Sequence, residues 1–185
     1  MEETQEKMLE EYENYLKELA AKGSEEIFTN GGIKHASVLM SVLLSSTTDQ
    51  ALIFSEGFCP DIIQEPYLSA LERYADNKQR GLKILLESDE YVDANPIKRI
   101  CEKSKERAGG DKRIEIRMIR EDDKMRIFNS LKCAQCNFSV FDGRMYRFEY
   151  DPKHYKAYGS FNHQRNSAFL TNLFNRAFAN AQVIC

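Results

Sequence analysis

The sequence predicts an α/β domain, a mixed β-sheet sandwiched between helices, with an extra N-terminal helix. The helix takes residues 1–23 and the sheet domain residues 24–185. Three observations lead there. Apolar segments of helical and of strand type alternate through the first two thirds of the chain. An Asp-Gly turn between two alternating apolar runs marks a hairpin in the last third. The 185 residues, 42% hydrophobic and 11% aromatic, suffice for a substantial core.

Residues 2–22 read as a charged amphipathic helix. Met8, Tyr12, Tyr15, Leu16 and Leu19 recur at helical spacing, Glu fills the opposite face, and Gly23 is the stop. Glu26–Thr29 is a short strand. After Asn30-Gly31-Gly32, a helix from about Ile33 to Leu44 is apolar enough to be buried on most sides. Thr47–Gln50 break it, and Ala51–Phe54 is a strand of the buried type. Pro66 opens the next helix, which runs to about Gln79. Gly81–Leu86 is a strand. Asn95 and Pro96 supply the cap and first residue of a helix to about Arg107, closed by Ala108-Gly109-Gly110.

Arg113–Ile119 alternate cleanly, which gives a strand with one polar face of Arg113, Glu115 and Arg117. A helix or turn follows to about Lys132. Strands at Asn137–Phe141, Arg144–Tyr150 and Tyr155–Phe161 are joined by turns at Asp142-Gly143 and Asp151-Pro152. A final helix, about Gln164–Ala181, buries Phe169, Leu170, Leu173, Phe174 and Phe178. Alternating units first and a meander later imply a mixed sheet.

Lys and Arg total 26 and Asp and Glu 29, a formal net charge of −3. The balance is uneven. Residues 1–96 hold 8 basic and 19 acidic side chains, and residues 97–185 hold 18 and 10, so the halves carry −11 and +8. No apolar run is long enough to cross a bilayer, so no membrane association is expected. The acidic start Met1-Glu2-Glu3 has no basic region leading into an apolar stretch, and the five cysteines read as reduced thiols, so a cytoplasmic protein is expected.

Most catalytic signatures are missing. Gly31-Gly32-Ile33-Lys34-His35-Ala36-Ser37 stands where a strand hands over to a helix, a place that favours anions. It lacks the spacing of either common nucleotide-binding glycine motif, and His35 reads as a packing residue. Cys133-Ala134-Gln135-Cys136 is a lone CxxC with no second pair to complete a zinc site. It leads into a strand rather than opening a helix, so its thiols read as unrelated. Neither a metal nor a cofactor is expected.

The densest polar grouping lies in the last third: Asp142, Arg144, Arg147, Glu149, His154, Lys156, Ser160 and Asn162. Arg147 and Glu149 share a strand face. His154, Lys156, Tyr158, Ser160 and Asn162 share parity, so on one strand they would present imidazole, ammonium, hydroxyls and carboxamide together. Such a face suits a phosphate or phosphodiester. The plainer alternative is a polar edge strand whose groups are wet or paired.

Gly159-Ser160-Phe161-Asn162, a Gly-Ser-x-Asn before a closing helix, resembles the end of the HKD signature of the phospholipase D superfamily. Asn137–Phe141 followed by Asp142-Gly143 resembles the strand and turn that carry its first part, and the likeness covers about residues 27–181. The resemblance implies a phospholipase D-like half-domain that pairs across a two-fold axis as a homodimer. Counting back from Asp142, the family's nucleophilic histidine and its lysine would fall at 135 and 137, where this chain has Gln135 and Asn137. Neither amide forms the covalent phospho-enzyme. The expectation is a degenerate, non-catalytic member that binds nucleic acid or another phosphate-rich ligand, or that serves as a subunit of a larger assembly. The alternative is a metal-independent phosphodiesterase or nuclease acting as a homodimer, with His154 as nucleophile, Lys156 and Asn162 on the phosphate, and the second histidine supplied by the partner subunit.

Overall fold

The computed structural model describes residues 2–60, 63–107 and 113–185. In chain order the elements are α1 (Glu2–Lys22), β1 (Phe28–Asn30), α2 (Ile33–Ser45), β2 (Gln50–Ser55), α3 (Tyr67–Asp76), β3 (Gly81–Leu86), α4 (Ile97–Glu106), β4 (Ile114–Met118), α5 (Glu121–Leu131), β5 (Asn137–Phe141), β6 (Met145–Asp151), β7 (Lys156–Ser160), α6 (Gln164–Asn180) and β8 (Gln182–Val183). The strands form one sheet in the order β1-β7-β6-β5-β2-β3-β4-β8. Strands β2, β3 and β4 run parallel. The remaining pairings are antiparallel, including β2 with β5.

The alternating strands place two separate apolar layers on the sheet. Ala51, Ile53, Leu82, Ile84, Ile114, Ile116 and Phe141 meet Leu16, Leu39, Leu43, Leu71 and Ile100 from α1 to α4. Leu52, Phe54, Leu85, Phe138, Val140 and Tyr146 meet Ile127, Phe128, Leu170, Phe174 and Phe178 from α5 and α6. Full burial of one such side chain stabilises the fold by about 1.5–3 kcal/mol, so the sheet is held from both faces. The polar face expected on β4 is only partly covered, with Arg113 exposed and Glu115 and Arg117 half-buried. Arg117 bonds Glu115 at 2.8 Å and the Phe178 carbonyl at 3.0 Å, with its guanidinium 4.4 Å from the Phe178 ring centre.

Several boundaries differ from the sequence reading. Helix α3 stops at Asp76 because Asn77 is extended, and α4 begins at Ile97 with Pro96 at the cap and no side-chain capping bond. The proposed Ala108-Gly109-Gly110 stop lies outside the described residues. On α1, Leu16 and Leu19 are buried, whereas Met8 and Tyr15 are exposed, and Phe169 on α6 is half exposed. Tyr12 packs edge-on against His35, with ring centres 4.8 Å apart, which fits a packing role for that histidine.

His154 is not on a strand. Residues Pro152–His154 form a 3₁₀ turn, Asp151 accepts from the His154 N–H, and Tyr155 takes a left-handed φ of 54°. The strand that follows begins at Lys156. Two cysteines also depart from the expectation of reduced thiols. Cys101 on α4 forms a disulfide with Cys185, whereas Cys59, Cys133 and Cys136 are free, the last two with their sulfurs 2.9 Å apart. Among the described residues no helix is long and apolar enough to cross a membrane.

The glycine of Gly159-Ser160-x-Asn162 has a packing reason. A Cβ there would overlap the Tyr146 carbonyl oxygen and stand 2.8 Å from the Phe28 ring, because β7 is pressed between β6 and β1. Gly159→Ala is expected to destabilise the fold by about 2–4 kcal/mol through overpacking of backbone that has nowhere to move. Urea denaturation checks this, and a midpoint equal to wild type would contradict it.

Candidate functional site

Two ends of the β5–β6 hairpin carry the polar residues of the last third, and they do different things. At the turn end, Asp142 and Gly143 both have positive φ, 51° and 65°, as a tight two-residue hairpin turn requires. The Asp142 carboxylate accepts from the N–H groups of Thr48, Asp49 and Gln50 at 2.8, 2.8 and 3.0 Å and from the Thr48 hydroxyl at 3.0 Å. Its own N–H donates to the Gln50 carbonyl. Burial alone would push this carboxyl up, but the backbone and hydroxyl donors hold it below the usual carboxylate range. Nearby, Arg144 donates to the Phe161 carbonyl at 2.9 Å, and the buried Ser160 hydroxyl donates to the Ser24 carbonyl and accepts from the Asn162 N–H. Asp142, Arg144, Ser160 and Asn162 therefore tie loops together.

The other end of the hairpin opens into a cavity of about 560 Å³. It lies beyond the carboxyl ends of β2 and β3, the usual crevice of an open α/β sheet. Ser55, Glu56 and Ser88 form its floor, the first turn of α2 (Ile33, Ala36, Ser37) one wall, and Gln135, Asn137, Ser139, Arg147, Glu149 and Tyr155 the other. A chain of hydrogen bonds runs along that second wall. The Glu56 N–H donates to Asn137 Oδ1 at 2.9 Å, and Asn137 Nδ2 donates to Glu149 Oε2 at 2.6 Å. Arg147 Nη2 donates to Glu149 Oε1 at 2.6 Å and Nε to Asn30 Oδ1 at 3.3 Å. Asn30 Nδ2 closes the chain on the Tyr155 carbonyl at 2.6 Å.

Arg147 and Glu149 are each 7% exposed at the side chain, so this is a buried ion pair. Removing either partner would strand a charge at a cost of about 3–5 kcal/mol. Arg147 Nη1 makes no hydrogen bond among the described residues. Tyr67, fully buried beside the pair, is pushed up by burial, with Arg147 opposing and Glu149 adding, so it stays protonated. Ser37 accepts from the Tyr67 N–H and donates to the Gln64 carbonyl, which fixes the α2 wall against α3.

Arg147 and Glu149 thus converge in the cleft with Gln135 and Asn137, the positions that matched the family's histidine and lysine. His154 does not join them. Its side chain is 59% exposed and its Nδ1 lies 2.9 Å from Asp151 Oδ2, with Lys156 at 3.9 Å from the same oxygen. Among the residues lining the cleft none is a histidine, and among the described residues no group of three or more His, Cys, Asp or Glu could hold a metal ion. Asn30, Ser37, Tyr67 and Tyr155 belong to the site and were missed. Asn30 reaches it only because β1 pairs with β7, Phe28 opposite Gly159, and no sequence-local signal carries that.

No protein-family model matches the sequence, and no curated protein matches it. Solved structures do match by shape. TrmBL2, an archaeal chromatin protein whose structure shows a novel mode of DNA binding, aligns over 99% of this chain at 17% identity with a TM-score of 0.62. The chain spans 64% of the length of that structure. Nuc from Salmonella typhimurium, a phospholipase D family member, aligns over 85% of this chain and 98% of its own at 11% identity with a TM-score of 0.53. The chain has a phospholipase D-like fold. Helix α1 falls within the match to TrmBL2, since that alignment covers nearly the whole chain.

Asp142→Asn would turn two acceptor oxygens into one and face an amide N–H₂ toward backbone donors. A loss of about 2–3 kcal/mol is expected in urea denaturation at pH 7. Because the folded carboxyl lies below its unfolded value, its contribution is present above about pH 4 and disappears as pH falls through the folded value. The variant should therefore lose the corresponding part of the wild-type acid transition, and an identical acid profile would contradict the role.

Proposed function

We propose that this chain is a non-catalytic phospholipase D-like module of a nucleic-acid-associated protein, in which the cleft holds a phosphate-bearing ligand without cutting it. The observation that carries the reading is Asn137 in place of a lysine, bonded on one side to the Glu56 backbone and on the other to Glu149. A phosphoryl transfer of the family type needs a nucleophilic imidazole at the cleft, and Gln135 supplies none. Three features favour a phosphate group there. The first turn of α2 offers N–H groups and the positive end of its dipole, Arg147 keeps Nη1 for an acceptor, and Lys153 stands on the lining. Glu56, Glu90 and Glu149 line the same cavity and oppose a longer polyanion there. A polynucleotide fits better outside, along the shallow groove where Lys132 and Lys153 flank Tyr150 and Tyr158. The match to a DNA-binding chromatin protein, and the charge of +8 over residues 97–185, favour nucleic acid over other polyanions.

The alternative, hydrolysis with His154 as nucleophile, would need that ring to leave Asp151 and turn into the cleft from an exposed turn. Incubation with bis(p-nitrophenyl) phosphate and with labelled single-stranded DNA in EDTA is expected to give no release above buffer. Hydrolysis that His154→Ala abolishes would overturn the non-catalytic reading. Fluorescence anisotropy with single- and double-stranded oligonucleotides is expected to show binding that weakens steeply between 50 and 200 mM salt, about tenfold or more if a few phosphates are neutralised. No binding at low salt would overturn the nucleic-acid half.

A further inference from the structure

The loop between α5 and β5 holds a feature that ligand binding does not use. Helix α5 ends at Lys132, which takes a left-handed φ of 54°, and the Cys133 N–H turns back to the Phe128 carbonyl at 3.1 Å. That reversal folds Cys133-Ala134-Gln135-Cys136 so tightly that the two sulfurs meet at 2.9 Å. A disulfide needs about 2.05 Å, so a movement of less than an ångström separates contact from bond. The two thiols have different access. Cys136 is fully buried in the α5–α6 layer, whereas Cys133 is partly exposed and lines the shallow groove with Lys132 and Tyr150.

We propose that Cys133 and Cys136 are a reversible dithiol–disulfide site, oxidised by a low-molecular-weight disulfide of the glutathione class that enters by the groove, and that the bond clamps the cleft wall carrying Gln135 and Asn137. In the first step Cys133 gives its proton to solvent and its thiolate attacks the external disulfide, which releases one thiolate that takes up a proton. In the second, Cys136 loses its proton and attacks the Cys133 sulfur of the mixed disulfide, releasing the second small thiol. Two thiols of the protein are oxidised to one disulfide, and one external disulfide is reduced to two thiols.

The surroundings favour the oxidised state once formed. Burial, the bond with Cys133 and the charges of Glu87 and Glu149 all push the Cys136 thiol up, so nothing stabilises a thiolate product of reduction. Glu87 is one of the charges that act on Cys136. Its Oε1 is buried with no hydrogen-bond partner among the described residues, and burial, with Lys124 opposing and Glu56 and Glu121 adding, raises its carboxyl to about 7. The site reports on the cleft because Gln135 lies between the two cysteines and Asn137 directly after them.

The test uses the full-length chain in buffers of rising oxidised-to-reduced glutathione ratio, quenched with an alkylating agent and digested with trypsin. Cleavage after Lys132 and Arg144 places both cysteines on one peptide, residues 133–144. That peptide is expected to pass from doubly alkylated to unalkylated and lighter by two hydrogens, while Cys59 stays alkylated as an internal reference. Full alkylation of both cysteines in the most oxidising buffer would overturn the proposal. So would a glutathione adduct on Cys133 that never resolves. Cys136→Ser should stop at that adduct and Cys133→Ser should give none. Retention of the intrapeptide bond in folded wild type keeps the proposal alive even where a variant fails to fold, and its absence in wild type ends it.

Discussion

The carboxylate of Asp142 is the joint on which the sheet turns. A parallel unit, β2-β3-β4, and an antiparallel meander, β5-β6-β7, meet along one pair of strands, with Ala51 opposite Phe141 and Phe54 opposite Phe138. Side-chain alternation leaves a two-residue slip in such a pairing nearly neutral, because the apolar set stays on the same face. Asp142 removes that freedom. Three consecutive backbone donors at the start of β2 converge on one side chain at the hairpin turn, and no shifted register satisfies them. The same register brings Asn137, at the far end of β5, beside the Glu56 backbone at the far end of β2. The cleft is thus located by a residue at the opposite end of the strands.

Within the cleft, polarity is spent internally. Asn30, Asn137, Arg147 and Glu149 bond mostly to one another and to backbone. Buried polar groups of this kind are tolerable only when satisfied, and the chain of five bonds satisfies nearly all of them. What remains for a ligand is a short inventory: one edge of a guanidinium, the first turn of α2, and hydroxyl-bearing or aromatic walls. That inventory is the one on which the proposal of a phosphate-bearing ligand rests. Among the described residues that line the cleft none carries an imidazole.

Much of the fold was legible because it is local. Alternation located β3 at Gly81–Leu86 and β5 at Asn137–Phe141, and Asp-Gly located the hairpin turn between Phe141 and Met145. The shared parity of Arg147 and Glu149 correctly put them together. Parity failed for His154, because it holds only while the chain stays extended, and Asp151 accepting from the His154 N–H winds the backbone into a 3₁₀ turn. Gly159-Ser160-x-Asn162 sits at the end of the meander remote from the cleft, where Ser160 faces Tyr146. Its glycine answers to the closeness of backbones and its serine to a loop. Asn30, Tyr67 and Tyr155 come from three distant stretches, and only the β1–β7 pairing and the packing of α2 on α3 bring them to one place.

The order of the strands also bears on how the chain assembles. Strands β2, β3 and β4 follow one another with single helices between them, so that unit closes short loops. Both margins of the sheet are different: β1 at residue 28 waits for β7 at residue 159, and β4 is covered by β8 at residues 182 and 183. Pairings of such long sequence separation form late, since loop closure must precede the contacts that reward it. Until β7 and β8 are paired the sheet has bare edges, a condition that exposes α/β chains to aggregation.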